Sequence, residues 1–241
     1  MVYFIRIVKS VAATFLSGIF LISVVEAYEI QYLKAEVFKI PSYNSGVPSG
    51  SFSSIGIDGK TGNVCLANDC GWCEIPYRNG KFNFKSSFIA PTKGYKLKAV
   101  ASSPSGTYVF DTLSNSIMAE RGNYKVSIRI DNPTGMAYHK GKLYVADKST
   151  GKIYELQLTD GRAKVLRIFK AHSAICGLAS DGNFLYSCDS KNIYKYDSSM
   201  KITVVYKLKV SIAGITFSGH GEVFAVAKNK NEIYRFRLKH R

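Results

Sequence analysis

The stretch PTGMAYHKGKLYVADKSTGKIYEL at residues 133–156 contains three short runs of alternating apolar and polar residues separated by turn residues. A fourth run of the same kind follows at residues 164–169. Aliphatic and tyrosine residues at every second position, bounded by Gly, Lys and Ser clusters, are typical of β-strands joined by tight turns. The stretch therefore predicts a four-stranded antiparallel meander.

The same order of runs recurs about every 40 residues, with Ile153, Ile193 and Ile233 spaced by 40 each time. A fixed period of this length is typical of repeated sheet units arranged in a ring or an array. Five such repeats predict an all-β chain in which residues 28–241 form one β-propeller domain of five four-stranded blades. Six blades and an open or swapped array are the alternatives.

The two ends of the chain favour a closed ring. The run YEIQYLKAEVFKI at residues 28–40 precedes the first repeat, whereas the fifth repeat stops after three runs. An N-terminal strand that completes the last blade would leave no open sheet edge at the junction. We therefore expect strands from both ends of the chain to close the ring.

Each repeat resembles a blade of the NHL, YWTD-type and gluconolactonase-like β-propellers, most clearly at residues 133–156. The resemblance covers nearly the whole chain after residue 27, and it implies an architecture rather than one activity. Gluconolactonase-like enzymes hold a metal ion with Asn, Asp and Glu around the channel, which would make Asn132 and Asp189 candidate ligands. A matching Glu near the first repeat is not evident.

Oxygen-bearing side chains end the second run of four repeats. All four would lie on one rim, together with the loops that join the blades, and we expect this rim to be the ligand face. Hard cations such as Ca²⁺ bind oxygen ligands of this kind, so Asp147 and Asp189 are candidate metal ligands for Ca²⁺ or Zn²⁺. The alternative is that each side chain caps the turn that follows its strand. The four residues are Asn68, Asp111, Asp147 and Asp189.

His172 precedes the fourth repeat and is a candidate acid or base at a channel mouth, with a solvated loop histidine as the alternative. The sequence contains no nucleophile elbow, P-loop, dinucleotide fingerprint or H-E-x-x-H motif. We therefore predict a non-enzymatic binding or scaffold protein that needs no cofactor. A metal-dependent lactonase or lyase is the alternative.

Five cysteines give three disulfide hypotheses, and their odd number leaves at least one thiol without an intramolecular partner. Cys70 and Cys73 have the C-x-x-C spacing, which here favours a small structural disulfide, or a loop staple with Cys65, over a redox site. Around a three-residue turn at 181–183, Ser180 would lie opposite Phe184. Cys176 would then lie opposite Cys188, within reach of a disulfide.

Residues 1–27 have the features of an export signal: a basic start with Arg6 and Lys9, an apolar segment at 11–25, and Val25-Glu26-Ala27 before the cleavage point. An uncleaved anchor is the alternative, although the apolar segment is shorter than the roughly 20 residues that span a bilayer. We therefore expect a periplasmic or extracellular protein, in which disulfides can form.

The chain is strongly basic, with 33 Lys and Arg against 17 Asp and Glu, a net charge of +16. Such a balance favours anionic partners. Export argues against nucleic acid, so the predicted partner is a protein or an anionic polysaccharide, with an anionic membrane surface as a further candidate. A solvated blade surface is the alternative explanation of the charge.

Overall fold

The computed structural model describes residues 28–41, 52–68, 71–84, 88–91, 95–120, 122–172, 174–218 and 221–238. These ranges contain 23 β-strands and no α-helix, which confirms the all-β prediction. They hold no helix with the length and hydropathy needed to cross a bilayer. The predicted leader at 1–27 lies outside the described residues.

The N-terminal segment and the first repeat supply the first eight strands. The first repeat forms sheet 1, an antiparallel sheet in the order β3-β4-β5-β8, and a two-stranded hairpin, β6-β7, inserted between β5 and β8. We call this inserted hairpin the arm. The strands are β1 (Glu29–Leu33), β2 (Glu36–Lys39), β3 (Ser54–Ile57), β4 (Val64–Asn68), β5 (Gly71–Ile75), β6 (Tyr77–Arg78), β7 (Lys81–Phe82) and β8 (Phe88–Pro91).

The second and third repeats form sheets 2 and 3, each a four-stranded antiparallel meander. Their outermost strands, β12 and β16, pair in parallel over two residues, which joins the two meanders into one eight-stranded sheet. Sheet 2 consists of β9 (Leu97–Ser103), β10 (Gly106–Asp111), β11 (Ser116–Ala119) and β12 (Gly122–Val126). Sheet 3 consists of β13 (Pro133–His139), β14 (Lys142–Asp147), β15 (Lys152–Thr159) and β16 (Arg162–Lys170).

The fourth and fifth repeats form sheets 4 and 5, and both recruit a strand from the N-terminal segment. Sheet 4 contains β17 (Gly177–Ser180), β18 (Leu185–Cys188), β19 (Asn192–Tyr196) and β20 (Ile202–Leu208). Sheet 5 contains β21 (Ile212–Phe217), β22 (Glu222–Ala227) and β23 (Glu232–Arg237). As the sequence predicts, an N-terminal strand, β2, completes sheet 5 by pairing antiparallel with β23. The sequence did not predict that β1 pairs in parallel with β20 as a fifth strand of sheet 4.

The five innermost strands, β3, β9, β13, β17 and β21, contact one another in cyclic order, and β21 contacts β3 again. Apolar side chains fill the space between adjacent sheets. Between sheets 2 and 3, for example, Phe110, Met136 and Val145 are almost fully buried in one cluster. Each side chain of this size contributes about 1.5–3 kcal/mol when it is buried, so packing between the sheets holds the ring together.

The ring is narrow where the inner strands begin, and we call this side the closed end. Gly135, Gly177 and Gly214 lie at equivalent register positions near the beginning of β13, β17 and β21. A Cβ atom on Gly135 would lie 2.2 Å from the backbone nitrogen of Leu178, and one on Gly177 would lie 3.0 Å from the Cα of Gly214. Only glycine allows neighbouring inner strands to approach so closely.

Candidate functional site

The C-terminal parts of the inner strands surround a cavity of about 1520 Å³, which we call the mouth. All five inner strands contribute to its wall, together with the arm and the turns between first and second strands. The mouth thus opens at the rim opposite the one that carries Asp111, Asp147 and Asp189. The inner-strand residues in the wall include Ile57, Ala101, Tyr138, Ala179 and Phe217.

Hydroxyl groups and aromatic rings alternate around the mouth. Ser102 Oγ accepts a hydrogen bond from the Ile57 amide at 2.7 Å, which links β9 to β3. Ser180 Oγ is hydrogen-bonded to His139 Nδ1 at 2.8 Å, which links β17 to β13. Tyr138 stacks on Tyr108 with ring centroids 6.1 Å apart. These contacts fix the wall of the mouth in one arrangement.

The acidic side chains of the mouth accept hydrogen bonds from other groups of the protein. Asp58 accepts hydrogen bonds from the Thr61 amide at 2.7 Å and from Thr107 Oγ1 at 2.8 Å. Burial raises the pKa of Asp58, but these hydrogen bonds outweigh burial and hold it below the usual 3.8. Asp181 accepts hydrogen bonds from the Phe184 amide and from the Tyr186 hydroxyl, both at 2.7 Å.

Three basic side chains of the mouth have no carboxylate partner among the described residues. Arg78, Lys81 and Lys140 line the cavity and are exposed. None of them forms an ion pair with a carboxylate in the described part of the chain; the Arg78 guanidinium only donates to the Tyr77 carbonyl, at 2.8 Å. The net charge of the mouth is positive, because its wall carries five basic side chains against three acidic ones. The basic residues are Arg78, Lys81, Lys140, Arg235 and Arg237, and the acidic ones are Asp58, Asp181 and Glu222.

The arm forms one side of the mouth and is fixed to sheet 5. Its turn, Asn79-Gly80, has positive φ at both residues, as a two-residue hairpin turn requires. The Tyr77 ring packs 4.9 Å from the Phe224 ring, and the Tyr77 hydroxyl accepts a hydrogen bond from Arg235 at 2.6 Å.

Arg235 is buried beneath the arm. It forms ion pairs with Glu36 at 2.5 Å and with Glu222 at 3.5 Å. The Arg235 guanidinium thus joins the arm, the N-terminal strand β2 and sheet 5.

At the opposite rim, the predicted carboxylates cap turns. Asp147 accepts hydrogen bonds from the Asn132 and Ser149 amides and from the Ser149 and Thr150 hydroxyls, at 2.6–3.2 Å. Asp111 accepts hydrogen bonds from the backbone of Lys96, Leu113 and Ser114 and from the Ser114 hydroxyl. Asp189 accepts hydrogen bonds from the backbone of Lys191 and Asn192, from the Asn192 amide group and from the Tyr194 hydroxyl.

The pKa of each of these three carboxyl groups reflects this capping. Burial raises the pKa, but the hydrogen bonds outweigh burial and hold it below the usual 3.8. Within the described residues, no three His, Cys, Asp or Glu side chains are grouped as metal ligands. The oxygens that the sequence offers to a cation are therefore used by turn backbone and hydroxyl groups.

The other predicted site residues are spread over this rim. Asn68 is buried at the end of β4, and Asn132 lies just before β13. His172 lies in the loop between β16 and β17, with its ring 5.1 Å from the ring of Tyr194. The structure thus brings Asn132 to Asp147 through a hydrogen bond from the Asn132 amide, and His172 to the tyrosine that donates to Asp189.

In the hairpin of β17 and β18, the strands pair in a register that differs from the predicted one. Its turn has four residues, 181–184, so Ser180 lies opposite Leu185 and Cys188 lies opposite Gly177. The predicted pairings of Ser180 with Phe184 and of Cys176 with Cys188 are therefore wrong by one residue. The two sulfur atoms are nevertheless 2.9 Å apart, because Gly177 has no side chain to separate them.

The remaining cysteines do not form a second close pair within the described residues. Cys65 and Cys73 are both buried, but they pack in different clusters on opposite faces of sheet 1. A staple between these two residues is excluded by that geometry. Cys70 lies outside the described residues, so the C-x-x-C disulfide and a staple between Cys65 and Cys70 stay predictions.

Comparison with known proteins defines the class of the fold. No protein-family model and no curated protein sequence matches the chain. Glutaminyl cyclase from Myxococcus xanthus superposes with a TM-score of 0.67 at 12% identity, over 87% of this chain and 97% of the cyclase. A gluconolactonase-like protein superposes with a TM-score of 0.53 at 15% identity, over 77% of this chain and 75% of that protein. Streptogramin B lyase gives 0.48 at 18% identity, over 79% and 66%.

The likeness to the cyclase and to the gluconolactonase-like protein shows that the chain has a β-propeller fold, as its repeats predict. At this level of identity the likeness concerns the fold alone, because propellers support unrelated activities. Sequence reasoning did not find the mouth residues. Lys81 begins the short strand β7 and Lys140 lies in a turn, and neither belongs to a motif. Only the three-dimensional ring brings them to one cavity.

Proposed function

We propose that the chain is an exported, five-bladed β-propeller that acts as a non-enzymatic binding module and takes an anionic glycan at its open mouth. The cyclic contacts of β3, β9, β13, β17 and β21 support the count of five blades. The leader at 1–27 supports export, and Cys176 and Cys188 support a disulfide in an oxidising compartment.

One observation carries the proposed ligand: Lys81, Lys140 and Arg78 have no carboxylate partner among the described residues, and they line a cavity whose wall has a net positive charge. Tyr138 adds aromatic surface, and Ser102 and Ser180 add hydroxyl groups. A carboxylated sugar chain offers matching chemistry, with anions for the lysines and C–H faces for the ring. We therefore place the partner at the mouth, not at the rim that carries Asp147.

The test is equilibrium binding of a fluorescent oligogalacturonate, a carboxylated glycan, to the mature protein. We expect saturable binding that weakens as salt is raised. In the Lys81→Ala/Lys140→Ala double variant, affinity should fall by about tenfold, which corresponds to about 1.4 kcal/mol. The matched control is Lys164→Ala/Lys209→Ala, which removes the same charge from exposed positions outside the mouth.

Three results would contradict a glycan site at the mouth and would favour another explanation. Equal loss in both double variants would mean that net charge, and not the mouth, attracts the glycan. Binding to anionic vesicles but not to the oligosaccharide would favour a membrane surface. No binding to either would favour a protein partner, which cross-linking at Lys140 could capture.

A metal-dependent lactonase or lyase is the second candidate, because the side-chain amide of Asn132 makes no hydrogen bond with the described residues. In this alternative, Asn132 and Asp189 would hold Ca²⁺ or Zn²⁺, and the cation would polarise a carbonyl group. Thermal unfolding with EDTA and then with each ion separates the two candidates. A saturable rise in midpoint that Asp189→Ala abolishes, together with lactone hydrolysis, would favour the enzyme.

A further inference from the structure

A second cavity, of about 650 Å³, lies at the rim opposite the mouth, beside the junction of sheets 3 and 4. We call it the groove. The turn after β14, the end of β16 and the following loop line it. Its polar wall includes Lys152, Lys170 and His172, none of which contributes to the mouth. The groove is therefore separate from the proposed glycan site.

Lys152 and Lys170 lie directly opposite each other on β15 and β16. The Ala171 amide donates to the Gly151 carbonyl at 2.8 Å, which makes the adjacent lysines a non-hydrogen-bonded pair. Side chains approach most closely in such pairs, with Cβ atoms about 4.5–5.5 Å apart. Two like charges in this arrangement destabilise a sheet.

No described carboxylate compensates this repulsion through an ion pair with either lysine. The nearest acid in register is Asp147, opposite Lys152 on β14. Its two oxygens accept hydrogen bonds from Ser149 and Thr150, and its side chain is buried. The free protein thus keeps two ammonium groups that have no ion-pair partner among the described residues at the edge of a cavity.

We propose that the groove binds a tetrahedral oxyanion, a sulfate or phosphate ester, between the ammonium groups of Lys152 and Lys170. Lysine binds such anions as a point charge with three rotatable N–H donors, so two adjacent ammonium groups match an anion that carries several oxygens. His172 supplies a third polar group. Ile168, which is 52% exposed, and Phe169 offer an apolar wall to the molecule that carries the ester.

The proposal predicts two opposite effects of the Lys152→Ala/Lys170→Ala double variant. Without ligand, the thermal midpoint should stay equal or rise, because the like-charge pair is removed. In the original protein, inorganic phosphate or inorganic sulfate should change the NMR chemical shifts of the Gly151, Lys152 and Ala171 amides. In the double variant, these anion-dependent changes should be lost. Separate titrations with the two anions, at constant ionic strength set with sodium chloride, decide which ester the groove prefers.

Two controls make the test specific. Lys164→Ala/Lys209→Ala should keep the phosphate-dependent shifts, and so should Lys81→Ala/Lys140→Ala in the mouth. Shifts that persist without Lys152 and Lys170, or that never saturate, would overturn the groove proposal and leave the mouth proposal intact. Loss of shifts in all three double variants would also overturn it, because it would indicate a general effect of charge.

Discussion

The two ends of the ring use the same strands in opposite ways. At the closed end, Gly135, Gly177 and Gly214 let inner strands touch, and Asp147 and its equivalents cap the turns. At the mouth, the equivalent strands end in larger side chains such as Tyr138 and surround a cavity. The comparison teaches that the recurring acids Asp111, Asp147 and Asp189 cap turns at one end of the ring, whereas the arm with Lys81, which belongs to one sheet of the described residues, contributes to the cavity at the other.

The strongest test of the difference between the closed end and the mouth is to add one methyl group at each of them. In Gly135→Ala the new Cβ would lie 2.2 Å from a backbone atom of the next sheet, which cannot move aside. We expect a loss of at least about 4 kcal/mol in the free energy of unfolding, measured by urea denaturation.

The matched variant Gly182→Ala lies in a mouth turn with open space around it and a φ of +90°. Its cost should be only the backbone strain of about 1–2 kcal/mol. Equal losses in the two variants would contradict the assignment of a closed end.

The next effect concerns Cys176 and Cys188 near the closed end. With oxidised glutathione as oxidant, the two thiols should each lose a proton and an electron and form one disulfide. Non-reducing peptide mapping should identify this pair, and its reduction should lower stability by about 3 kcal/mol. Cys65 and Cys73, on opposite faces of sheet 1, serve as internal controls that stay unpaired with each other. Free thiols at 176 and 188 after oxidation would refute the prediction.

Asp147→Ala should remove the cap of one turn at the closed end. Because four donors lose their acceptor, we expect a loss of about 2–3 kcal/mol in chemical denaturation. Asp131→Ala is the matched control, since Asp131 is exposed and forms one surface ion pair with Arg129. That variant should lose less than about 1 kcal/mol.

The caps also predict how stability depends on pH. The folded-state pKa values of Asp111, Asp147 and Asp189 lie below 3.8, so the unfolded chain binds more protons at low pH. The stability that they contribute is present above the unfolded pKa and is lost as pH falls below about 4 through the folded pKa values. Asp147→Asn should flatten this decline in unfolding free energy. An unchanged slope would mean that the cap does not titrate with folding.

The smallest effect on stability should come from the mouth. Lys81 and Lys140 are exposed and make no ion pair in the described part of the chain, so Lys81→Ala/Lys140→Ala should change unfolding free energy by less than about 0.5 kcal/mol. The same variant is expected to lose glycan affinity. A large loss of stability would show that the lysines support the fold and would weaken the binding proposal.

The architecture could be predicted because each repeat is defined by local patterns of residues. Strand runs, turn residues and the unfinished fifth repeat identified the sheets and the closure by β2. The pairing of β1 with β20 could not be predicted, because a parallel pair between residues about 175 positions apart leaves no local signal. The register of β17 and β18 failed for a smaller reason: the chain continues the turn through Phe184, which by composition fits a strand equally well.

The site was harder to predict than the fold. Asp147 and Asp189 stand out because they recur, but recurrence reflects a turn that every blade must make. Lys81 belongs to an arm found in one sheet alone, and Lys140 to a single turn, so neither repeats. Lys81 and Lys140 come close together only when the ring closes, and no local stretch of sequence predicts this.

The latch formed by β1 and β2 imposes an order on folding. The Glu36–Arg235 ion pair joins residues 199 positions apart, so a segment that is synthesised early must wait for a partner that is made much later. Until then, the outer edges of sheets 4 and 5 lack their final strands. Such distant pairings slow folding and leave strand edges available to other chains. Ring closure is therefore the step at which a chaperone that shields strand edges would improve the yield of native protein.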